Sequence, residues 1–302
     1  MDLLDIVLHY DCNLKCTYCT CTGELRERAG LPASVVLRHM DQAAQAGCTA
    51  LSITGGEPTI RHDLLGMIRH AREQGFTDIK VQTNGLVFAT AGNLERALQA
   101  GVTRIGLSVH GHNAKNSDAY ARITQSDNES HALFLSAIDN LVAADVVLTA
   151  DLIVMTDTIE TLLDGLIDLH KRGIQAFNLW YVSLTDDNQN NVDSMPRMSD
   201  AVDTIVACMN YGRSQGIQVK SLHVPRCLLP GYEEHVAHPG VGMDVQVVTP
   251  ESSFQLTSSR LGGGCKPERC GDCVYDGICT GLRADYVERF GDDELQPVPT
   301  PT

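Results

Sequence analysis

Cys12-Asn13-Leu14-Lys15-Cys16-Thr17-Tyr18-Cys19 is the stretch on which the reading of this chain turns. Three thiols fall within eight residues, spaced C-x3-C-x2-C, directly after the apolar run Leu3 to Leu8. Thiols this close in sequence suit a metal. Structural zinc takes a fourth protein ligand, whereas a four-iron cubane held by three cysteines keeps one iron open to a non-protein ligand. An open iron is a place where chemistry can occur.

The run before the loop reads as a strand from Leu3 to Tyr10, and the chain then alternates between helix and strand periods. The pattern predicts helices over 32–46, 63–74, 93–100, 129–144, 159–171 and 199–215. Between and after them it predicts strands over 50–54, 79–83, 104–109, 147–155, 176–182 and 218–224. At least six successive β–α units imply a parallel sheet with right-handed crossovers, doubly wound or barrel-like. The distinctive residues sit at strand C-termini: the cysteine loop, Gly55-Gly56-Glu57-Pro58, Asn84-Gly85 and His110-Gly111-His112. Active sites of β/α barrels gather at that face, and a closed barrel needs eight units. The expected fold is therefore α/β, a partial (β/α)6 TIM-type barrel open at one side.

The β–α rhythm stops near residue 222, where Pro, Gly and polar residues increase. The expected organisation is a barrel over 1–222 and a small cysteine-bearing domain over 223–302. The second part holds a hairpin or two strands over 245–248 and 253–256, a helix over 282–290, and an extended or disordered Pro/Thr-rich tail over 296–302.

Composition narrows the function. The chain has 302 residues, 43% of them hydrophobic, enough for a sizeable core. A net charge of −15 argues against a nucleic-acid partner and permits a cationic substrate. No run of 18 apolar residues predicts a membrane span, and no signal-peptide pattern opens the chain, so a cytoplasmic location is expected. Eleven cysteines, an odd number and mostly in two tight groups, point to cluster ligation rather than disulfides.

With an aromatic Tyr18 before the third cysteine and Gly55-Gly56-Glu57-Pro58 after the second strand, the chain resembles the radical S-adenosylmethionine superfamily over roughly residues 3 to 225. The resemblance implies that Cys12, Cys16 and Cys19 hold a [4Fe-4S] cluster whose open iron takes the methionyl amine and carboxylate of S-adenosylmethionine. It further implies reductive cleavage to a 5′-deoxyadenosyl radical that removes a substrate hydrogen atom, with a flavodoxin- or ferredoxin-type electron donor. Gly55, Gly56, Glu57 and Pro58 would face the methionyl end, the glycines letting backbone approach the ligand. Tyr18, Asn84 and Ser108 are further cofactor-binding candidates.

The second group reads Cys265-x4-Cys270-x2-Cys273-x5-Cys279. Its C-x2-C-x5-C core is similar to the SPASM and Twitch auxiliary-cluster domains of that superfamily. The full SPASM pattern has a further cysteine where this chain has Arg283, so one auxiliary [4Fe-4S] cluster is expected. Cys227, Cys270, Cys273 and Cys279 are the preferred ligands, with Cys265 in place of Cys227 as the alternative. The thiol left over, Cys265 or Cys227, is a candidate hydrogen-atom donor to a substrate radical. That plan resembles radical epimerases and points to a small natural product such as an aminoglycoside, with a ribosomal peptide as the alternative substrate. A non-catalytic iron–sulfur electron carrier is the reading from another class. Trp180, Tyr181 and the polar loop 185–193 are candidates to line the substrate cavity.

Overall fold

Strand alternation sets the architecture. The computed structural model describes residues 1–110, 117–238, 241–258 and 264–299. In chain order, the first elements are β1 (Leu3–Val7), α1 (Gly23–Glu27), α2 (Ala33–Gln45), β2 (Ala50–Thr54), α3 (Leu64–Glu73), β3 (Asp78–Thr83) and α4 (Ala91–Ala100). Then come β4 (Arg104–Val109), α5 (Ser117–Thr124), α6 (Asn128–Ala143), β5 (Val147–Val154), α7 (Leu162–Lys171), β6 (Ala176–Tyr181), α8 (Met198–Gln215) and β7 (Gln218–Leu222). The remainder supplies β8 (Val236–Ala237), β9 (Val245–Val248), β10 (Ser253–Gln255), β11 (Gly264–Cys265), β12 (Leu282–Arg283) and α9 (Ala284–Phe290).

Among the described residues, ten strands form one sheet in the order β10-β9-β1-β2-β3-β4-β5-β6-β7-β8. Every pairing is parallel except β9 with β10. Six β–α units and a seventh strand account for β1 to β7, as the periodicity predicts. The fold is α/β, consistent with a partial TIM-type barrel.

One face of each strand is apolar. Leu4 and Ile6, Leu51 and Ile53, Ile79 and Val81, Leu107, Leu152, and Phe177 and Leu179 are buried in a single core with the helices. Burying each such side chain stabilises the fold by about 1.5–3 kcal/mol. The alternate residues point the other way and are mostly polar: Asp5, Ser52, Lys80, Gln82, Ser108 and Asp151 line an inner cleft, with Ile153 and Trp180 beside them. In a closed barrel branched apolar side chains fill that space. Here it stays open.

Some elements depart from the periodicity, and the helix expected over 282–290 starts at Ala284 because Leu282 and Arg283 pair with β11 as strand β12. β1 stops at Val7 rather than Tyr10, because His9 and Asp11 turn their carbonyls to Gly56 N (2.7 Å) and Glu57 N (2.9 Å). Helix α5 lies in a polar stretch whose periodicity is weak, and packing of Tyr120 and Ile123 holds it. The sheet also runs past residue 222: β8 joins β7, and β9 pairs with β1 at the opposite side. The 245–248 and 253–255 segments form the antiparallel pair β9–β10. The tail does not hang free over its described part. Val274 N donates to Val298 O at 2.8 Å, and Cys273 bridges to Pro299. His112 and residues 300–302 lie outside the described residues.

Candidate functional site

The cysteine loop leaves β1 and crosses the C-terminal end of the sheet. Its shape is fixed by hydrogen bonds at both sides. Lys15 N and Thr17 N donate to Thr124 O (3.1 Å) and Ile123 O (2.8 Å) at the end of α5. The Arg26 guanidinium of α1 donates to the carbonyls of Cys12 (3.4 Å), Leu14 (2.6 Å) and Cys21 (3.0 Å). Cys12, Cys16 and Cys19 are half-buried.

Donors approach the sulfurs. Leu14 N lies 3.4 Å from Cys12 Sγ and Cys21 N lies 3.3 Å from Cys19 Sγ. Asn84 Nδ2 reaches to 3.8 Å from Cys12 Sγ, and His110 Nδ1 lies 3.7 Å from Cys16 Sγ. The Tyr18 hydroxyl meets the same His110 nitrogen. Burial pushes the Cys12 thiol up to about 11 and Cys16 higher still, where the neighbouring Cys19 and Cys12 charges add to it. Hydrogen bonding from Cys21 holds Cys19 down to about 6, against the opposing effect of burial. The Cys19 charge adds to the upward shift of both Cys12 and Cys16, so thiolates this close gain from a cation between them, and N–H donors aimed at sulfur suit thiolate ligands of iron. Among the described residues, no three His, Cys, Asp or Glu side chains converge on the geometry of one metal ion. The ligands of a cubane each hold a different iron and stand further apart. The residues present therefore fit a cluster.

Gly55 to Pro58 is docked on the base of this loop. A side chain at Gly55 would meet His9 O at 2.4 Å, and one at Gly56 would meet Asp11 O at 2.0 Å. Gly55 also has a φ of +145°, a region that favours glycine. The close approach these glycines permit is made to the chain's own backbone. Pro58 is buried and opens a short 3-10 turn. The Glu57 carboxylate turns inward and accepts from Thr59 N (3.0 Å), Thr59 Oγ1 (2.5 Å), Thr83 Oγ1 (2.8 Å) and Asn84 N (2.7 Å). Burial raises its pKa, while those four donors favour the ionised form. Glu57 thus ties the second strand end to the third. Asn84 continues the chain of contacts, its amide donating to Asn13 Oδ1 at 2.7 Å.

Beside the loop lies a cleft of about 430 Å³, within the size range of ligand sites. Tyr18, Cys19 and Ser108 line it, as do Trp180 and Tyr181 of β6 and Thr185 of the polar loop that follows. Ser108 Oγ accepts from Gln82 Nε2 at 3.0 Å. Asn191 Nδ2 donates to Thr17 O at 2.9 Å, so the polar loop after β6 reaches the cysteine loop. The cleft lining includes His223, a buried non-glycine residue at φ +73°.

A second pocket is lined by Cys227, Cys270, Cys273 and Cys279 together. Their charges act on one another: burial raises Cys227, and Cys279, Cys273 and Cys270 add to the shift. Cys265 does not line this pocket or the cleft. It is exposed on β11, paired with Leu282. Arg283, which stands where a SPASM pattern has cysteine, is buried and donates to Tyr181 O (3.1 Å) and Val182 O (2.6 Å).

The model of the radical SAM superfamily matches residues 6–169, more than half of the chain and the part that carries both motifs. The chain belongs to the radical SAM superfamily. Membership implies a [4Fe-4S] cluster and S-adenosylmethionine. Among curated relatives, a probable GTP 3′,8-cyclase of Saccharolobus solfataricus is 32% identical over 124 residues, 41% of this chain and 39% of its own. A probable GTP 3′,8-cyclase of Methanopyrus kandleri is 32% identical over 171 residues, 54% of this chain and 52% of its own. The matches thus span about half or less of those relatives. Among solved structures, anSMEcpe with bound AdoMet superposes with a TM-score of 0.67 at 13% identity, covering 97% of this chain and 92% of that one. Streptococcus suis SuiB bound to precursor peptide SuiA gives 0.66 at 14% identity, covering 98% and 74%. These structural likenesses speak to the radical SAM fold alone.

Sequence reasoning missed Arg26, Thr83 and His110 as supports of the radical SAM loop. Arg26 follows the third cysteine by seven residues and Thr83 precedes Asn84. Neither carries a pattern of its own, because their roles depend on contacts between distant strand ends. Cys48 and Cys208 are buried core thiols, in keeping with their apolar sequence context.

Proposed function

We propose that Cys12, Cys16 and Cys19 hold the [4Fe-4S] cluster and that the cleft beside them receives S-adenosylmethionine and the substrate. The observation that carries this reading is the bracing of the cysteine loop by Gly55–Glu57, with N–H donors aimed at Cys12 and Cys19. When bound, the cluster and S-adenosylmethionine supply a carbon radical able to take a hydrogen atom. The chain's own part is positional. Ser108 and Tyr18 face the cleft where a nucleoside would lie, and Asn84 orients Asn13 beside Cys12. Glu57 acts through Thr83 and Asn84 rather than on the ligand.

Cys227, Cys270, Cys273 and Cys279 hold one auxiliary [4Fe-4S] cluster in this reading, supported by their sharing one pocket. A reduced flavodoxin- or ferredoxin-type protein supplies one electron for cleavage of S-adenosylmethionine and, for epimerisation, a second that with a proton returns the donor cysteine from its thiyl state to the thiol. For the reaction we favour hydrogen abstraction from a small natural product followed by epimerisation. Cys265 is the donor thiol, since its strand pairs with β12, whose Arg283 lines the cleft. A second reading is net oxidation, including peptide modification. It is favoured by the exposed position of Cys265, outside the cleft lining. Turnover in deuterium oxide separates the two. Epimerisation places one deuterium in the product and stops in Cys265→Ala while 5′-deoxyadenosine still forms. A product two hydrogens poorer with no deuterium, unaffected by that substitution, overturns epimerisation.

A further inference from the structure

The cation that fastens the cysteine loop has no carboxylate partner. Arg26 Nε donates to Cys21 O at 3.0 Å, and its terminal nitrogens donate to Leu14 O at 2.6 Å and Cys12 O at 3.4 Å. All three acceptors are neutral carbonyls. Among the described residues Arg26 makes no ion pair, whereas Arg28, Arg61 and Arg122 are paired with Glu251, Asp63 and Asp157. Glu24 and Glu27, on the same short helix, are exposed and form no ion pair with it. A half-buried guanidinium cannot shed its charge, so it gains from a negative group nearby.

The negative groups it acts on are the cysteine sulfurs. Burial raises Cys12 and Cys16, and hydrogen bonding from Cys21 lowers Cys19; at all three the Arg26 charge favours the thiolate. A cubane held by three thiolates carries net negative charge, and reduction adds one more unit. A fixed cation favours the state with the added electron and so raises the potential. The second cysteine group repeats the arrangement. Arg226 precedes Cys227, and it donates to Ile278 O, next to Cys279, at 2.6 Å and to Val236 O at 2.9 Å. It also makes no ion pair among the described residues. Bracing carbonyls needs only N–H donors, which a neutral side chain also offers. An arginine clamped to carbonyls without a carboxylate, found at both cysteine groups, points to a use of its charge.

We propose that Arg26 is the counter-cation of the catalytic cluster and sets its reduction potential, with Arg226 in the same relation to the second cysteine group. The inference rests on Cys12, Cys16 and Cys19 as the cluster ligands and deepens that reading. One electron passes from the donor protein to the cluster, and Arg26 keeps its proton throughout. Its charge favours that transfer, which precedes cleavage of S-adenosylmethionine.

The test is an anaerobic redox titration of the reconstituted full chain, followed by electron paramagnetic resonance of the reduced clusters. The catalytic cluster is the one whose signal changes when S-adenosylmethionine is added. Arg26→Met removes the charge and the hydrogen bonds, and Arg26→Lys keeps the charge while losing most of the fork. Arg26→Met is expected to disfavour reduction of that cluster at least about tenfold, a shift of about 59 mV to lower potential for one electron. Arg26→Lys is expected to stay within about threefold of wild type, under half that shift. Arg226→Met is expected to leave the S-adenosylmethionine-responsive signal at its wild-type potential and to lower the other one. An iron-loaded Arg26→Met chain with an unchanged potential overturns the proposal, as does an equal shift in the Lys and Met variants, which would mark bracing alone. If Arg26→Met loads no iron, Arg26→Gln, which keeps donors without charge, takes its place. Loading by Lys when neither neutral variant loads upholds the counter-cation, and failure of Lys as well overturns it. A wild-type chain with no S-adenosylmethionine-responsive signal defeats the ligand assignment itself, an outcome distinct from any shift among the variants.

Discussion

Gly56→Ala is a sharp perturbation of the brace beneath the cysteine loop. The new methyl would stand 2.0 Å from Asp11 O, 2.5 Å from Tyr10 O and 2.6 Å from Asp11 C. All three are backbone atoms, so no side chain can swing aside. Reaching ordinary contact requires the two segments to part by about 1.4 Å. That separation breaks the Gly56 N to His9 O bond of 2.7 Å and the Glu57 N to Asp11 O bond of 2.9 Å. Each loss costs about 1–3 kcal/mol when the donor stays buried, so about 2–6 kcal/mol is expected in total. The loop that moves carries Cys12, so iron bound there should fall as well. Equilibrium urea unfolding measures the first effect and iron analysis of the purified chain the second. A variant within about 0.5 kcal/mol of wild type, with its full iron content, would refute the argument that these glycines exist for backbone approach.

Three further outcomes follow from the same contacts. Burial, with the Arg283 and His238 charges adding to it, pushes the His223 imidazole down to about 3 from its ordinary 6.5. Because the folded value is depressed, its stabilising effect is complete above pH 6.5 and is lost as pH falls toward 3, about 2 kcal/mol by pH 5. His223→Asn, which suits the left-handed backbone, should flatten that part of the stability–pH curve, and an unchanged slope would contradict it. Cys273→Ala should remove about four irons and leave 5′-deoxyadenosine release in place, whereas loss of release would tie this pocket to the first cluster. Arg283→Met should free the 181–184 segment and lower the melting temperature, since its guanidinium holds Tyr181 O, Val182 O and Asp285; an unchanged melting temperature would show that segment held by other contacts.

Local order was legible where periodicity and punctuation agree. β2 and β4 fall on the residues the alternation marks, and the helices between them differ by a residue or two. The fold class follows from repetition of one unit and needs no long-range information. What could not be read depends on partners far apart in sequence. Nothing in Val245–Val248 says that it will pair with β1, because an apolar tetrad fits many edges equally. The inward turn of Glu57 was equally hidden. A glutamate after two glycines looks available to a ligand until Thr59, Thr83 and Asn84 surround it. The cleft floor was missed for a related reason. Asp5 and Lys80 each read as one polar residue in an alternating strand, and only the sheet order sets them on one wall.

The central claim is that Cys12, Cys16 and Cys19 hold the cluster that cleaves S-adenosylmethionine. The direct measurement is 5′-deoxyadenosine release under strong reductant, paired with iron analysis, for wild type and the triple variant Cys12→Ala, Cys16→Ala, Cys19→Ala. Wild type is expected to hold about eight irons and to release 5′-deoxyadenosine, and the variant to hold about four irons and release none. A variant that keeps its iron or still releases 5′-deoxyadenosine would contradict it.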